Sequence, residues 1–276
     1  MVRAVLFDFY RTLVLCPQWE DLEIRSIGGR ALALLIDRGQ FLAGRPLAAS
    51  ERAALLVDGD RLYHAIRAEG RDTHLEWSAE AAVQRILATM GFPGDVPWRD
   101  VAQAVEDLNR ACLKELTVIP GVRDVLAELP AMGLKLAVVS NAACGGFVRW
   151  ALDKCELAPS FQVVASSGDL GWRKPGPEIF NWTLARLGVT AAEAVHVGDS
   201  QRYDVVGGHA ANLRVAWLEC PEGRDLPPAQ AGGVAGGATA GTEPGVGAGS
   251  EPAGCQPDAT LANIGDLPRL LRVVAW

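Results

Sequence analysis

VLFDFYRTLV, residues 5–14, places three apolar residues directly ahead of Asp8 and follows it with Tyr10, Arg11 and Thr12. An apolar run that stops at a polar residue reads as a central strand of a parallel sheet, here residues 3–9. A carboxylate at the exit of such a strand stands where open α/β sheets collect their reactive groups. The residue two places on is a phenol instead of a second acid, and the chemistry turns on that difference.

Outward from this strand the pattern becomes helical from about residue 19 to 116. Val101, Val105, Leu108, Cys112 and Leu116 recur at three- and four-residue steps and form one amphipathic face. Ser78 stands where it would cap a second helix through Val83, Ile86 and Leu87. Leu55, Leu62 and Ile66 mark another helix, and residues 20–38 a fourth; no strand is expected in this stretch. After Pro120-Gly121 helices and strands alternate. The spacing predicts helices from Val122 to Leu129, over 145–154 and over 175–187. It predicts strands over 134–139, 161–165, 194–197 and 213–218. Such alternation implies a parallel sheet with helices on both faces. Asp8, Ser140 and Asp199 each end a predicted strand, so distant polar groups would meet in one crevice. Residues 223–257 are rich in Gly, Ala and Pro and are expected to be a disordered insertion. The tail returns to a short strand and helix.

The chain has 276 residues, 49% hydrophobic and 21% charged, enough for one good core and a smaller second one. Its net charge is −7, and it has no long basic run. Nucleic acid is therefore not expected as a main partner. The six cysteines form no CxxC and have no His at zinc spacing, so they read as reduced thiols. No stretch is long enough to span a membrane, and the N-terminus does not read as a signal peptide. The expectation is a cytoplasmic protein acting on a small anionic molecule, with oligomeric state left open. His196, inside a predicted strand, reads as a satisfied core histidine. His209 reads as having no partner at metal spacing.

Four pieces line up in order: Asp8 in FDFYRTL, Ser140 in VVSNA, Lys174 in GWRKPGPEIF, and Asp199 with Asp204 in VGDSQRYD. In this set and order the chain resembles the haloacid dehalogenase-like hydrolases of the C1-capped subfamily I type. The resemblance implies a Rossmann-like, doubly wound parallel sheet core (residues 1–15 plus 117–276) with an inserted all-helical cap over 16–116. It implies Asp8 as nucleophile, forming an aspartyl-phosphate. It implies Mg²⁺ as cofactor, held by Asp8, the backbone carbonyl of Tyr10 and Asp199; Asp204 either joins them or orients Lys174. Lys174 would bind the phosphoryl group and Asp8 together, and Thr12, Ser140 and Asn141 offer hydroxyl and amide contacts to phosphate oxygens. Asn141 could equally fix its turn, and Asp204 could equally cap a surface helix.

Most phosphatases of this superfamily carry a second Asp at the position of Tyr10, as general acid and base. Losing that group typically slows a reaction by about 10²–10⁴. The family's 2-haloacid dehalogenases have Tyr there, because halide leaves without a proton. They work without metal and lack the acid that Asp199 supplies here, and no halide-cradling Arg is recognisable after position 15. Three functions follow. The first is a Mg²⁺-dependent phosphohydrolase favouring good leaving groups, the second a C–halogen hydrolase, and the third a non-catalytic binding or regulatory protein.

Overall fold

The structure is a computed structural model and describes residues 1–40, 42, 46–92, 94, 96–219 and 255–274. Its centre is a six-stranded parallel sheet in the order β5-β4-β1-β6-β7-β8. The strands are β1 (Ala4–Phe7), β4 (Lys135–Ser140), β5 (Val163–Ser166), β6 (Ala194–Gly198), β7 (Arg214–Leu218) and β8 (Ala259–Leu261). β1 lies between β4 and β6, with Phe7 level with both Val138 and Val197. From β1 the chain winds outward one way through β4 and β5, then crosses back to β6 and winds the other way. The reversal opens a crevice at the carboxyl ends of β1, β4 and β6.

The strands are apolar throughout because both faces are covered. Val5 and Phe7 face the layer that includes α6 (Val122–Ala131), α7 (Gly145–Lys154) and α11 (Leu267–Val273). Ala4 and Leu6 face the opposite layer, which includes Ile179, Phe180 and Leu184 of α9 (Glu178–Leu187), the helix that follows the single turn α8 (Ser167–Leu170). The period of two along β1 is thus shared between two cores.

The helical segment enters and leaves through an antiparallel ribbon of β2 (Val14–Leu15) and β3 (Thr117–Val118). Two-residue strands carry no periodicity, which is why neither is read from sequence. Between them lie α1 (Pro17–Asp21), one wide π turn (Leu22–Ser26), α2 (Ile27–Asp37), α3 (Ala49–Thr73), α4 (Ala79–Thr89) and α5 (Trp98–Cys112). Among the described residues no strand of the sheet falls in this block. α2 and α3 touch backbone to backbone, since a Cβ on Gly28 would stand 2.2 Å from the Gly59 carbonyl oxygen. The expected Ser78 cap is present, its hydroxyl accepting from the Ala81 N–H at 3.2 Å. The block is seated on the core by aromatics: Trp19 of α1 stacks on Phe147 of α7 at 4.6 Å, and Phe9 meets both edge-on.

Most predicted elements are present, with shifted ends. The strand expected over 3–9 is 4–7, and the helix expected from 175 begins at Glu178, after Pro175 and Pro177. Strand ends follow ladder pairing and not the length of the apolar run. Of the insertion expected over 223–257, all but 255–257 lies outside the described residues. No described helix is long and apolar enough to cross a membrane.

Candidate active site

Asp8 leaves β1 with its N–H donating to the Val197 carbonyl of β6 at 2.8 Å. The same pairing that aligns β1 with β6 therefore brings Asp8 beside Asp199, the first residue after β6. Asp204 follows in a second π turn, Gln201–Val205, which leads into α10 (Val206–Ala210). It can lie against β6 only because position 198 is glycine: a Cβ there would stand 2.2 Å from the Asp204 Cγ. Carboxylate oxygens of Asp8, Asp199 and Asp204 all fall within 4.8 Å of one another. Three acids so close, two of them almost fully buried, call for cations.

One cation is Lys174, 2% exposed, whose Nζ donates to Asp8 Oδ1 at 2.6 Å and to Asp204 Oδ1 at 2.7 Å. Burial opposes its charge, but Asp204 and then Asp8 override that and raise its pKa. Asp204 is the mirror case: burial pushes it up, and Lys174 with His196 holds it well below the usual carboxylate range. Asp8 is raised by burial, with Lys174 opposing. Among the described residues Asp199 makes no such ion pair, and the charges of Arg11 and Lys174 offset its burial only in part. Burial, then Asp8 and Asp204, raise its pKa well above the ordinary value. Three acids gathered around a single buried lysine suit a divalent cation bound by a few carboxylates.

The oxygens of Asp204 are already engaged. Oδ1 meets Lys174 and His196 Nε2 (2.9 Å), and Oδ2 accepts the Ser200 N–H at 2.9 Å. Of the two roles the sequence left open, these contacts match orientation of Lys174. Burial of Asp204, at 1% exposure, removes the surface-cap alternative. His196 is the satisfied core histidine expected, with Nδ1 against the Leu6 carbonyl at 3.1 Å, and it also steadies Asp204. Asn141, read from sequence as either a phosphate contact or a turn-fixing residue, makes backbone contacts here: its Nδ2 donates to the Lys174 carbonyl at 2.9 Å and its Oδ1 accepts the Lys174 N–H at 2.8 Å. It clamps the lysine's backbone. Thr12 Oγ1 donates to Asp8 Oδ2 at 3.4 Å, and Ser140 is buried at the end of β4.

Tyr10 points its hydroxyl at the helical block and donates to Glu20 Oε2 of α1 at 2.8 Å. Its ring meets Trp19 edge-on at 5.7 Å. Burial and Glu20 raise its pKa, so the phenol keeps its proton and gives it in a hydrogen bond to Glu20. Arg11 adopts φ +64°, the left-handed region in which side chains are uncommon. Its charge lies close enough to Asp199 to favour the ionised carboxylate.

The sequence reading missed a buried polar seam between helical block and core. Glu23, in the first π turn, accepts the Ala143 N–H of the core at 2.7 Å and Arg67 Nη1 of α3 at 3.2 Å. Tyr63 donates to the Glu23 carbonyl at 2.9 Å. Residues 74–76 run edge to edge with 171–173, the Arg173 N–H donating to His74 and the Glu76 N–H to Gly171. Glu76 also accepts from Ser167 at 3.1 Å. A π turn has no signature in amphipathic periodicity, and contacts across 120 residues have none in local spacing; nothing in the chain's pattern marks Glu23.

A family model described as haloacid dehalogenase-like hydrolase matches residues 68–218, which take in Ser140, Lys174, Asp199 and Asp204. Phosphoserine phosphatase of Thermus thermophilus is 36% identical over 100 residues, covering 36% of this chain and 40% of that protein. Phosphoglycolate phosphatase of Salmonella typhi is 30% identical over 221 residues, 76% of this chain and 78% of that one. A 2-haloacid dehalogenase from Pseudomonas syringae has the same fold, with a TM-score of 0.60 over 99% of both chains at 22% identity.

Proposed function

We propose, from the premise that the chain belongs to the haloacid dehalogenase-like hydrolase family, that it is a Mg²⁺-dependent phosphohydrolase acting on a small phosphorylated metabolite. The observation that carries this reading is the meeting of Asp8, Asp199 and Asp204 within 4.8 Å with Lys174 bound among them. A carboxylate that attacks carbon to expel halide has no need of two further acids around it.

Asp8 is the nucleophile. One of its oxygens attacks phosphorus, the bond to the leaving oxygen breaks, and an aspartyl-phosphate forms for water to hydrolyse. Lys174 holds Asp8 and balances charge on the phosphoryl oxygens, and Asn141 and Asp204 hold Lys174. Thr12 and Ser140 supply hydroxyls to the phosphoryl group. Asp8, Asp199 and the Tyr10 backbone carbonyl would hold Mg²⁺, which supplies Lewis-acid charge neutralisation at the phosphoryl oxygens. Asp204 serves the lysine. The helical block, 16–116, acts as the cap that closes the crevice, with the Glu23 seam fixing its seat. Tyr10 neither gives nor takes a proton at the leaving oxygen, so substrates whose leaving group departs as a stable anion, such as acyl phosphates and diphosphates, turn over best.

The experiment is phosphate release from p-nitrophenyl phosphate and acetyl phosphate, with Mg²⁺ and with chelator, beside halide release from 2-chloropropionate. Metal-dependent phosphate release with no halide is the expected result. Chelator-insensitive halide release would replace this reading with the dehalogenase that Tyr10 by itself favours. Silence in both assays, with Mg²⁺ still bound, would replace it with a binding protein.

A further inference from the structure

On the flank of the sheet a second constellation stands apart from the carboxylate cluster and takes no part in the proposed hydrolysis. His209, at the end of α10, has its Nδ1 3.0 Å from Cys255 Sγ and its Nε2 2.9 Å from Asp258 Oδ2. Asp258 is itself fixed to β7: its Oδ2 accepts the Val215 N–H at 2.8 Å and its N–H donates to the Val215 carbonyl at 3.0 Å. Sequence spacing gave His209 no partner, because Cys255 and Asp258 lie 46 and 49 residues away and reach it only through the pairing of β7 with β8.

The order of the three groups is that of nucleophile, base and orienting acid. An ionised carboxylate accepts only, so Nε2 carries the ring proton and Nδ1 is left free to accept from the thiol. Burial works against ionisation of Asp258, but His209 and the Val215 amide outweigh it and hold the carboxyl below its usual range. A single metal ion is not the occupant, since the imidazole lies between the sulfur and the carboxylate and its two nitrogens face opposite ways. Cys255 is partly exposed, as are His209 and Asp258, with side-chain exposures of 29% and 40%. The described thiols elsewhere are buried: Cys112 is pushed up to about 11 and Cys144 to about 12.

We infer that Cys255 is a base-assisted reactive thiol, open to oxidation by hydroperoxides. The thiol proton passes to His209 Nδ1. The sulfur lone pair then attacks the outer peroxide oxygen, an S–O bond forms and the O–O bond breaks. The departing alkoxide or hydroxide takes the proton from His209 and leaves as alcohol or water. Sulfur is oxidised by two electrons to the sulfenic acid, and the peroxide is reduced by the same two. No open pocket or oxyanion-binding donors are needed for this step, in contrast to acyl transfer.

The test treats the full chain with hydrogen peroxide in the presence of dimedone and follows the Cys255 peptide by mass spectrometry. The wild-type protein is expected to be trapped at Cys255 at least about tenfold faster than the His209→Ala variant, a modest share of what a positioned base supplies. Added imidazole is expected to restore part of that rate, and Asp258→Asn to slow it severalfold. Slow labelling of Cys144 by iodoacetamide in each variant reports that the core is intact. Equal Cys255 rates in wild type and both variants, or a slow variant that imidazole does not rescue, would overturn the inference and leave the contacts as a brace for the β7–β8 edge.

Discussion

Tyr10→Asp replaces the phenol beside Asp8 with a short carboxylic acid that no longer reaches Glu20. The tyrosine's present contacts set the loss of stability. Its hydrogen bond to Glu20 at 2.8 Å is made at a half-exposed carboxylate, and its ring meets Trp19 edge-on at 5.7 Å. Together these are worth about 2 kcal/mol, or about 5 °C in Tm for a chain of this size. The gain is catalytic. A positioned acid contributes about 10²–10⁴, equivalent to about 3–5 kcal/mol of barrier, wherever the leaving oxygen must be protonated. Glycerol phosphate, with a basic alkoxide leaving group, is therefore expected to gain at least about 10² in kcat/KM. p-Nitrophenyl phosphate, whose leaving group departs as a stable anion, is expected to gain little, because kcat/KM reports formation of the aspartyl-phosphate and not its breakdown. The decisive quantity is the ratio of the two kcat/KM values, measured with saturating Mg²⁺ for both proteins. A folded variant whose ratio matches wild type would refute the assignment of Tyr10 to the vacant acid/base position.

The other perturbations address the cations and the seam. Because burial and its acidic neighbours raise the Asp199 pKa, the folded protein without metal keeps a proton that the unfolded chain releases; that stability is full below the ordinary value of 3.8 and is lost as pH rises through the raised value. Asp199→Asn is accordingly expected to melt higher than wild type in chelator at pH 8, while Mg²⁺ raises the Tm of wild type alone; calorimetry in both conditions checks this. Lys174→Met leaves Asp8 and Asp204 without their buried counter-charge, so urea denaturation is expected to show a loss of about 3–5 kcal/mol, with phosphate release abolished. Glu23→Ala removes the acceptor for the Ala143 N–H and for Arg67 at the seam, and is expected to cost about 2–4 kcal/mol and to raise KM more than it lowers kcat, read by denaturation and steady-state kinetics.

What the chain's pattern reveals is what local physics repeats. The apolar run before Asp8 reads as a strand because a strand covered on both faces has no polar side to show, and the three- and four-residue steps from Val101 to Cys112 read as a helix because only one face of α5 is covered. The strand ends at Asp8, Ser140 and Asp199 follow, and with them the crevice. Hidden features are those set by tertiary contact. The ribbon of β2 and β3 is too short to show a period. Both π turns, which place Glu23 at the seam and Asp204 beside Lys174, interrupt a helical pattern without changing its composition. Asn141 holds a backbone, His196 steadies an acid and His209 meets a thiol because strands distant in sequence lie side by side. Residue type named the chemistry available in each case, and only the fold decided which neighbour received it.

The most direct test of the central claim is to find where the phosphoryl group goes. The protein is mixed with acetyl phosphate and Mg²⁺, quenched with borohydride and digested, and the peptide spanning residues 4–11 is read by mass spectrometry. Reduction of an acyl phosphate at Asp8 to homoserine, seen with Mg²⁺ and absent with chelator, is the predicted result. Phosphate release that proceeds at full rate with Asp8 unmodified, or with the reduced residue elsewhere, would contradict it.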